Sequence, residues 1–338
     1  MRRMLALSLL MVALLVQPVP AQSRAGTAGL QFLSVGMGPR TIAMGGSGVA
    51  LVDDASSVFW NPAGLAMLER RQAFFGYVKW PAEIQLSGAS LAGNLGAYGQ
   101  WAVSFMALTT DEMLQRTVFF PEGDGSTFTA GDYAVGLTFA RHFTDKFAFG
   151  ATGRWVRESL HEDFADEGWA FDVGTAYDTG YKTIRLAVAI ANFGPDLRYE
   201  VDQDGDGQLD EDPTDSKDND NDGLTDEDPE EAGVPLPLQF QVGLGMTPLQ
   251  TDAMKLNVAL DLLHPNDNQE QYHLGGELWY HDMVALRLGY EAGRDEGGFS
   301  AGAGFRVPLQ NYSGGVDYAY SDMGLLEEVH RASLYLNF

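Results

Sequence analysis

From residue 72 to the carboxyl terminus the chain alternates apolar residues with small or polar ones, residue by residue, in segments close to ten residues long. Met254, Leu256, Val258, Leu260 and Leu262 share one face, and Lys255, Asn257, Ala259 and Asp261 share the other. Ile184, Leu186, Val188 and Ile190 oppose Thr183, Arg185, Ala187 and Ala189; Val284, Leu286, Leu288 and Tyr290 oppose Ala285, Arg287 and Gly289. A period of two places successive side chains on opposite faces of a strand, so each segment has one greasy face and one face of Gly, Ala, Thr and single charges. A soluble sandwich also alternates, but its strands usually run about 5–6 residues. Length near ten with a small, sparsely charged second face fits tilted strands with lipid on one side and a lumen on the other.

The pattern predicts an all-β fold, a 14-stranded antiparallel transmembrane β-barrel. Its strands span 72–80, 83–91, 98–108, 130–140, 147–157, 168–178, 183–193, 237–247, 254–264, 271–280, 284–291, 298–306, 312–320 and 331–338. The last strand carries Ala332, Leu334, Leu336 and Phe338 on one face and stops on an aromatic carboxyl-terminal residue, an ending that resembles the recognition signal of bacterial outer-membrane barrels. Turns of alternating length follow: short ones near Val307, His281, Thr179 and Arg141, longer ones over 321–330, 265–270, 194–236 and 109–129. The first hairpin turns in two residues, Pro81-Ala82. An even strand count puts both ends of the wall in the periplasm, with the long loops outside.

Before the wall come two segments of different character. Arg2 and Arg3, an apolar run from Leu5 to Val16, and Val19-Pro20-Ala21 form a secretory signal over residues 1–21; its apolar run is too short for a spanning helix. Residues 22–71 do not alternate. Glycines at 36, 38, 45, 46 and 48 allow tight backbone paths, Asn61-Pro62 is a turn dipeptide, and residues 55–68 can hold a short helix. An irregular apolar segment ahead of a strand wall reads as a plug inside the barrel. Phe59, Trp60, Asn61, Pro62, Ala63 and Gly64 are the candidate hatch or ligand gate, with packing of plug on wall as the plainer role for Phe59 and Trp60.

Three blocks here, Gly38-Pro39-Arg40 through Met44-Gly45-Gly46, Asp53-Asp54-Ala55-Ser56, and Phe59-Trp60-Asn61-Pro62-Ala63-Gly64-Leu65, resemble the opening of PorV/PorQ-family outer-membrane proteins. More distantly they are similar to the hatch of FadL-type transporters. The FadL resemblance implies a barrel that binds or passes hydrophobic small molecules when the hatch shifts. The PorV resemblance implies an interaction protein of type IX secretion that holds exported proteins at the cell surface.

The net charge of −26 argues against nucleic acid as a partner, because phosphate binding needs a basic surface. More than half of that charge lies in residues 202–231, where fifteen acids face Lys217 alone. The block is a tandem repeat of period sixteen: Asp202, Asp204, Asp206, Gly207, Asp210, Asp212 recur as Asp218, Asp220, Asp222, Gly223, Asp226, Asp228. Alternate carboxylates before a glycine turn converge on one cation, and a backbone carbonyl at Gln208 or Leu224 adds an oxygen. The repeat resembles thrombospondin type 3 and dockerin-like calcium loops, but Pro213 and Pro229 replace the bidentate Glu of an EF-hand. Calcium is the expected ion, in a loop outside the membrane.

There is no cysteine, hence no disulfide or thiolate site. Gly298-Phe299-Ser300-Ala301-Gly302 matches the letters of a hydrolase nucleophile elbow but lies in an alternating strand, whereas that chemistry needs a strand-to-helix turn. The six histidines show no i, i+4 metal pair, and aromatics near strand ends, among them Trp80, Trp155, Trp169, Trp279, Tyr280 and Tyr290, read as interfacial girdles. No enzyme is indicated.

Overall fold

The structure is a computed structural model that describes residues 26–116, 120–123, 125–161, 164–198, 216–217, 233–294, 297–309 and 311–338. The signal segment and nearly all of the acidic repeat lie outside the described residues.

Fourteen strands close into one antiparallel barrel. In chain order they are β1 (Gln72–Lys79), β2 (Gln85–Asn94), β3 (Gln100–Thr109), β6 (Gly131–Thr144), β7 (Phe147–His161), β8 (Phe164–Asp178), β9 (Arg185–Phe193), β10 (Gln239–Gln250), β11 (Met254–Pro265), β12 (Gln271–Tyr280), β13 (Val284–Ala292), β14 (Phe299–Leu309), β15 (Tyr312–Asp322) and β16 (Glu328–Asn337). The two strands β4 (Met113–Leu114) and β5 (Thr127–Phe128) form a separate small hairpin within the 109–131 connection, which the sequence pattern did not reveal. The barrel closes by pairing β1 with β16, from Gln72 opposite Asn337 to Lys79 opposite His330, so no strand edge is left open. Both ends of the wall therefore meet at one rim, the terminal rim; the long connections gather at the other, the loop rim.

The two faces of each strand separate as the alternation requires. Leu260, Leu286, Leu288 and Tyr290 stand outward and exposed, while Asn257, Ala259, Asp261, Glu277 and Arg287 point inward and are buried. Three details depart from the sequence reading. The first hairpin needs the wider turn 80–84, with Ala82 and Glu83 both at positive φ and Trp80 N–H bonded to the Ile84 carbonyl. Trp80 and Trp279 face the lumen rather than the lipid interface, each beneath an arginine. His273 is also buried inside. Ser300 sits on the inner face of β14 and accepts a hydrogen bond from the Gly45 amide at 3.0 Å, so the elbow-like letters belong to a strand that seats the amino-terminal segment.

Candidate functional site

Residues 26–68 occupy the lumen. Two short 3₁₀ pieces, Ala55–Phe59 and Pro62–Met67, flank Asn61, and one α-helical turn, Pro39–Ile42, follows Gly38. Each has a local cause. The Asp54 carboxylate accepts from the Ser56 amide, and the Asn61 side chain accepts from the Ala63 amide at 3.0 Å, so both are N-caps, while Pro39 and Pro62 fill the first helical position. Gly45 and Gly46 take positive φ, and a Cβ at Gly45 would come within 2.6 Å of the Tyr290 backbone; the turn lies directly on β13. Beyond it, Gly48 and Val49 donate their amides to one oxygen of Asp261 on β11, at 2.9 and 3.0 Å.

The six candidate hatch residues divide by position. Asn61 is fully buried, and its side-chain amide donates to the carbonyls of Val49 and Thr175, at 2.9 and 3.2 Å, tying two parts of the segment to β8. Pro62 and Ala63 lie over Gly150, and Asn61 over Gly174, where an added Cβ would strike them. Gly64 packs on the Val52 carbonyl. Phe59 leans on Phe74 of the wall, with ring centroids 6.1 Å apart. Trp60 alone among the six reaches the large cavity, with its indole N–H bonded to the Met37 carbonyl at 2.6 Å.

The segment separates two cavities. Toward the loop rim lies one of about 820 Å³, with Phe32, Trp60, Trp80, Leu86, Leu108 and Leu263 among its lining and polar groups such as Gln241 and Arg331 between them. Toward the terminal rim lies one of about 380 Å³ with Arg40, Asp53, Asp54, Arg287, Arg306 and Asp317 in its walls. Gly36, Ile42 and Trp60 close the floor of the upper cavity; a Cβ on Gly36 would fall 2.5 Å from the Ile42 side chain and 2.7 Å from the Trp60 ring, so the closure is tight.

Below that floor runs a charge network, buried at Glu277 and Arg287 and open to the lower cavity at Asp53 and Asp54. Arg40 forks onto Glu277 through Nε at 3.0 Å and Nη2 at 3.1 Å, and its Nη1 reaches Asp53 at 2.6 Å and Asp54 at 3.3 Å. Glu277 also accepts from Arg287 at 2.7 Å and Asn257 at 2.9 Å, and Arg287 continues to Asp317 at 2.5 Å. Burial works against the charge on Arg40, but Glu277, Asp53 and Asp54 more than offset it and raise its pKa above the ordinary guanidinium range. A second pair, Arg154 with Asp172, lies under the Val58 carbonyl. Sequence reading missed these partners. The available signal was the single charge recurring on the small-residue face of successive strands.

The profile of the family described as "Outer membrane protein transport protein (OMPP1/FadL/TodX)" matches residues 19–192, just over half of the chain and including the whole inner segment. The chain belongs to this family, and it is an outer-membrane β-barrel. Among solved structures it is similar to the Ralstonia pickettii toluene transporter TbuX (14% identity, 89% of this chain and 97% of that one, TM-score 0.54). It is likewise similar to the CymD monoaromatic hydrocarbon channel (14% identity, 90% and 98%, TM-score 0.54) and the Pseudomonas putida toluene transporter TodX (10% identity, 88% and 96%, TM-score 0.54). At these identities the likeness is one of fold. Among curated protein sequences no significant match is found.

Proposed function

We propose that the protein admits hydrophobic small molecules, small aromatics among them, at its loop rim and passes them inward when the floor formed by Gly36, Ile42 and Trp60 moves aside. The observation that carries this reading is the pair of cavities, one with an aromatic and aliphatic wall interrupted by polar groups and one charged, on either side of a segment that closes the lumen. Membership in a transport family and the toluene and monoaromatic titles of structural neighbours support the ligand class. With the termini at the periplasmic rim, the upper cavity faces outside. Deleting residues 36–65 while keeping the wall should leave a heat-modifiable barrel whose conductance in planar bilayers, or uptake of a hydrophobic dye, rises well above the parent. A folded deletion that conducts no more than the parent would reduce the segment to packing.

A second reading, a PorV/PorQ-type role in type IX secretion that holds exported proteins at the surface, rests on the three opening blocks and on the long 194–238 connection at the loop rim. Exported proteins co-purifying in mild detergent, without bound hydrophobic ligand, would favour it over transport. Calcium held by the 202–229 repeat belongs to either reading and rests on the repeat pattern alone. Calorimetric titration of that peptide with calcium against magnesium tests it, and an equal response to both ions returns the block to a plain acidic loop.

A further inference from the structure

The chain is strongly acidic, yet one sector of its terminal rim is basic. Segments 141–146 and 178–185, which carry the β6–β7 and β8–β9 turns, hold Arg141, Lys146, Lys182 and Arg185 against Asp145 and Asp178. Elsewhere on this rim, 94–100 has no charged residue, 250–255 balances Asp252 with Lys255, and 280–285 has one acid, Asp282. Asp178 is taken by Arg185, with bonds of 2.8 and 3.2 Å. Among the described residues Arg141, Lys146 and Lys182 make no ion pair, so three cations share the sector with the single exposed acid Asp145.

These cations are gathered on the outside of the wall, among aromatic rings. The two turns are tied by their backbones, the Asp178 amide donating to the Lys146 carbonyl at 2.8 Å. The Lys146 side chain crosses to the neighbouring turn, where a Cβ on Gly180 would fall 2.5 Å from its Nζ. Lys182 lies over the exposed Tyr181 ring, with Nζ 5.6 Å from the centroid, and the Arg141 guanidinium lies over Phe143 at 5.5 Å. At the β-bulge between His142 and Thr144, the exposed Phe143 packs on Phe149 with ring centroids 6.1 Å apart.

Deeper in the wall, the outward face of β7 falls to Ala151 and Gly153, since Thr152 and Arg154 point into the lumen. They stand between Phe139 and Leu137 on β6 and Val173 and Phe171 on β8, all four exposed. A strand of small residues between two bulky ones leaves a shallow trough on the lipid side. Lysine and arginine at a membrane surface attract anionic headgroups, and aromatic rings mark the headgroup level. A zwitterionic headgroup would bring an ammonium as well, with Asp145 as its one acid here.

We propose that the outer wall at β6–β9 binds an anionic phospholipid of the periplasmic leaflet, its phosphate held by Lys146, Lys182 and Arg141 and an acyl chain laid along Ala151 and Gly153. The site lies outside the barrel and is independent of what passes through the lumen. Ordinary snorkelling of cations to the interface, with no choice among lipids, is the competing account.

The test titrates delipidated full-length protein in neutral detergent with phosphatidylglycerol and with phosphatidylethanolamine of the same acyl chains, read by native mass spectrometry. Phosphatidylglycerol should bind about tenfold or more tightly, the range expected of two or three cations beside one anionic headgroup. Lys146→Gln with Lys182→Gln should bring the two lipids level. Removing two exposed cations at the loop rim, Lys79→Gln with Arg157→Gln, should leave the preference intact. Equal binding of both lipids by the wild type overturns the inference, as does a preference that survives the first pair or is lost equally with the second. Displacement of the lipid by inorganic phosphate at millimolar concentration would make this a site for the free ion and overturn it too. If the first pair does not give a heat-modifiable barrel, the wild-type ratio and the single Lys146→Gln, which should lose part of the preference, still decide.

Discussion

The inner segment is held to the wall in two different ways, at Asn61 and at Arg40. Around Asn61 the contact is one of shape. Main chain and proline lie on Gly150 and Gly174, whose missing side chains make the seat, and the asparagine amide spends its donors on two carbonyls. Around Arg40 the contact is one of charge, spread over Glu277, Asp53 and Asp54 and bordering the lower cavity. A shape contact of this kind cannot be opened by degrees, because a close-packed seat either accepts the backbone or excludes it. A charge contact beside a polar cavity can exchange its partners for water. If the segment gates as proposed, Asn61 would serve as the fixed point and the Arg40 side as the part that moves, with the floor of the upper cavity between them.

The largest effect should come from Glu277→Ala. This carboxylate is fully buried and serves Arg40, Arg287 and Asn257 together, so its loss leaves Arg287 with Asp317 alone and Arg40 with only the more exposed Asp53 and Asp54. A cost of about 3–5 kcal/mol is expected for breaking such a buried pair, read as a fall in the urea midpoint of the detergent-folded barrel. An unchanged midpoint would mean that water already reaches the network and that the charged contact contributes little.

Gly150→Val comes next and tests the other half of the contrast. Its Cβ would fall on the backbone of Pro62 and Ala63, which has no rotamer to change. Overpacking of this kind costs about 1–3 kcal/mol. If the seat is a fixed point, the residual folded protein should show the inner segment more open to protease than in the wild type. The same substitution with wild-type stability and protection would show that the segment slides on the wall.

The wall was legible because its signal is written between adjacent residues. The alternation that predicts a strand at 254–264 appears as Met254–Pro265, and 271–280 appears as Gln271–Tyr280. The inner segment was legible as an interruption of that signal, and its turns could be placed from Pro62, Asn61 and the glycines. The charge network was not, since Arg40 and Glu277 stand 237 residues apart and meet only when fourteen strands close with one stagger. Of the girdle aromatics, Trp169, Tyr280 and Tyr290 do stand outward, but Trp279 was misread for a simpler reason. Trp279 lies two positions after Glu277 and so shares its inward face, a parity that outweighs its place at a strand end.

Arg40→Met should have the smallest effect on stability and the clearest effect on passage. Removing Arg40 leaves Glu277 with Arg287 and Asn257, so the most buried carboxylate stays matched. Asp53 and Asp54 lose a partner but border the lower cavity, and Asp54 still caps the Ser56 turn. Methionine keeps much of the length of the arginine's apolar stem. The stability loss should therefore be about 1–2 kcal/mol, below that of Glu277→Ala, because Glu277 keeps two partners and the aspartates left behind are partly solvated. If the Arg40 contact keeps the floor shut, single-channel openings in planar bilayers should become more frequent, and Arg40→Lys, which keeps the charge without the fork, should fall between the two. Stability lost without any gain in opening would make the Arg40 contact as structural as the seat at Asn61, and would move the search for the mobile part of the segment to the Asp261 contact at Gly48 and Val49.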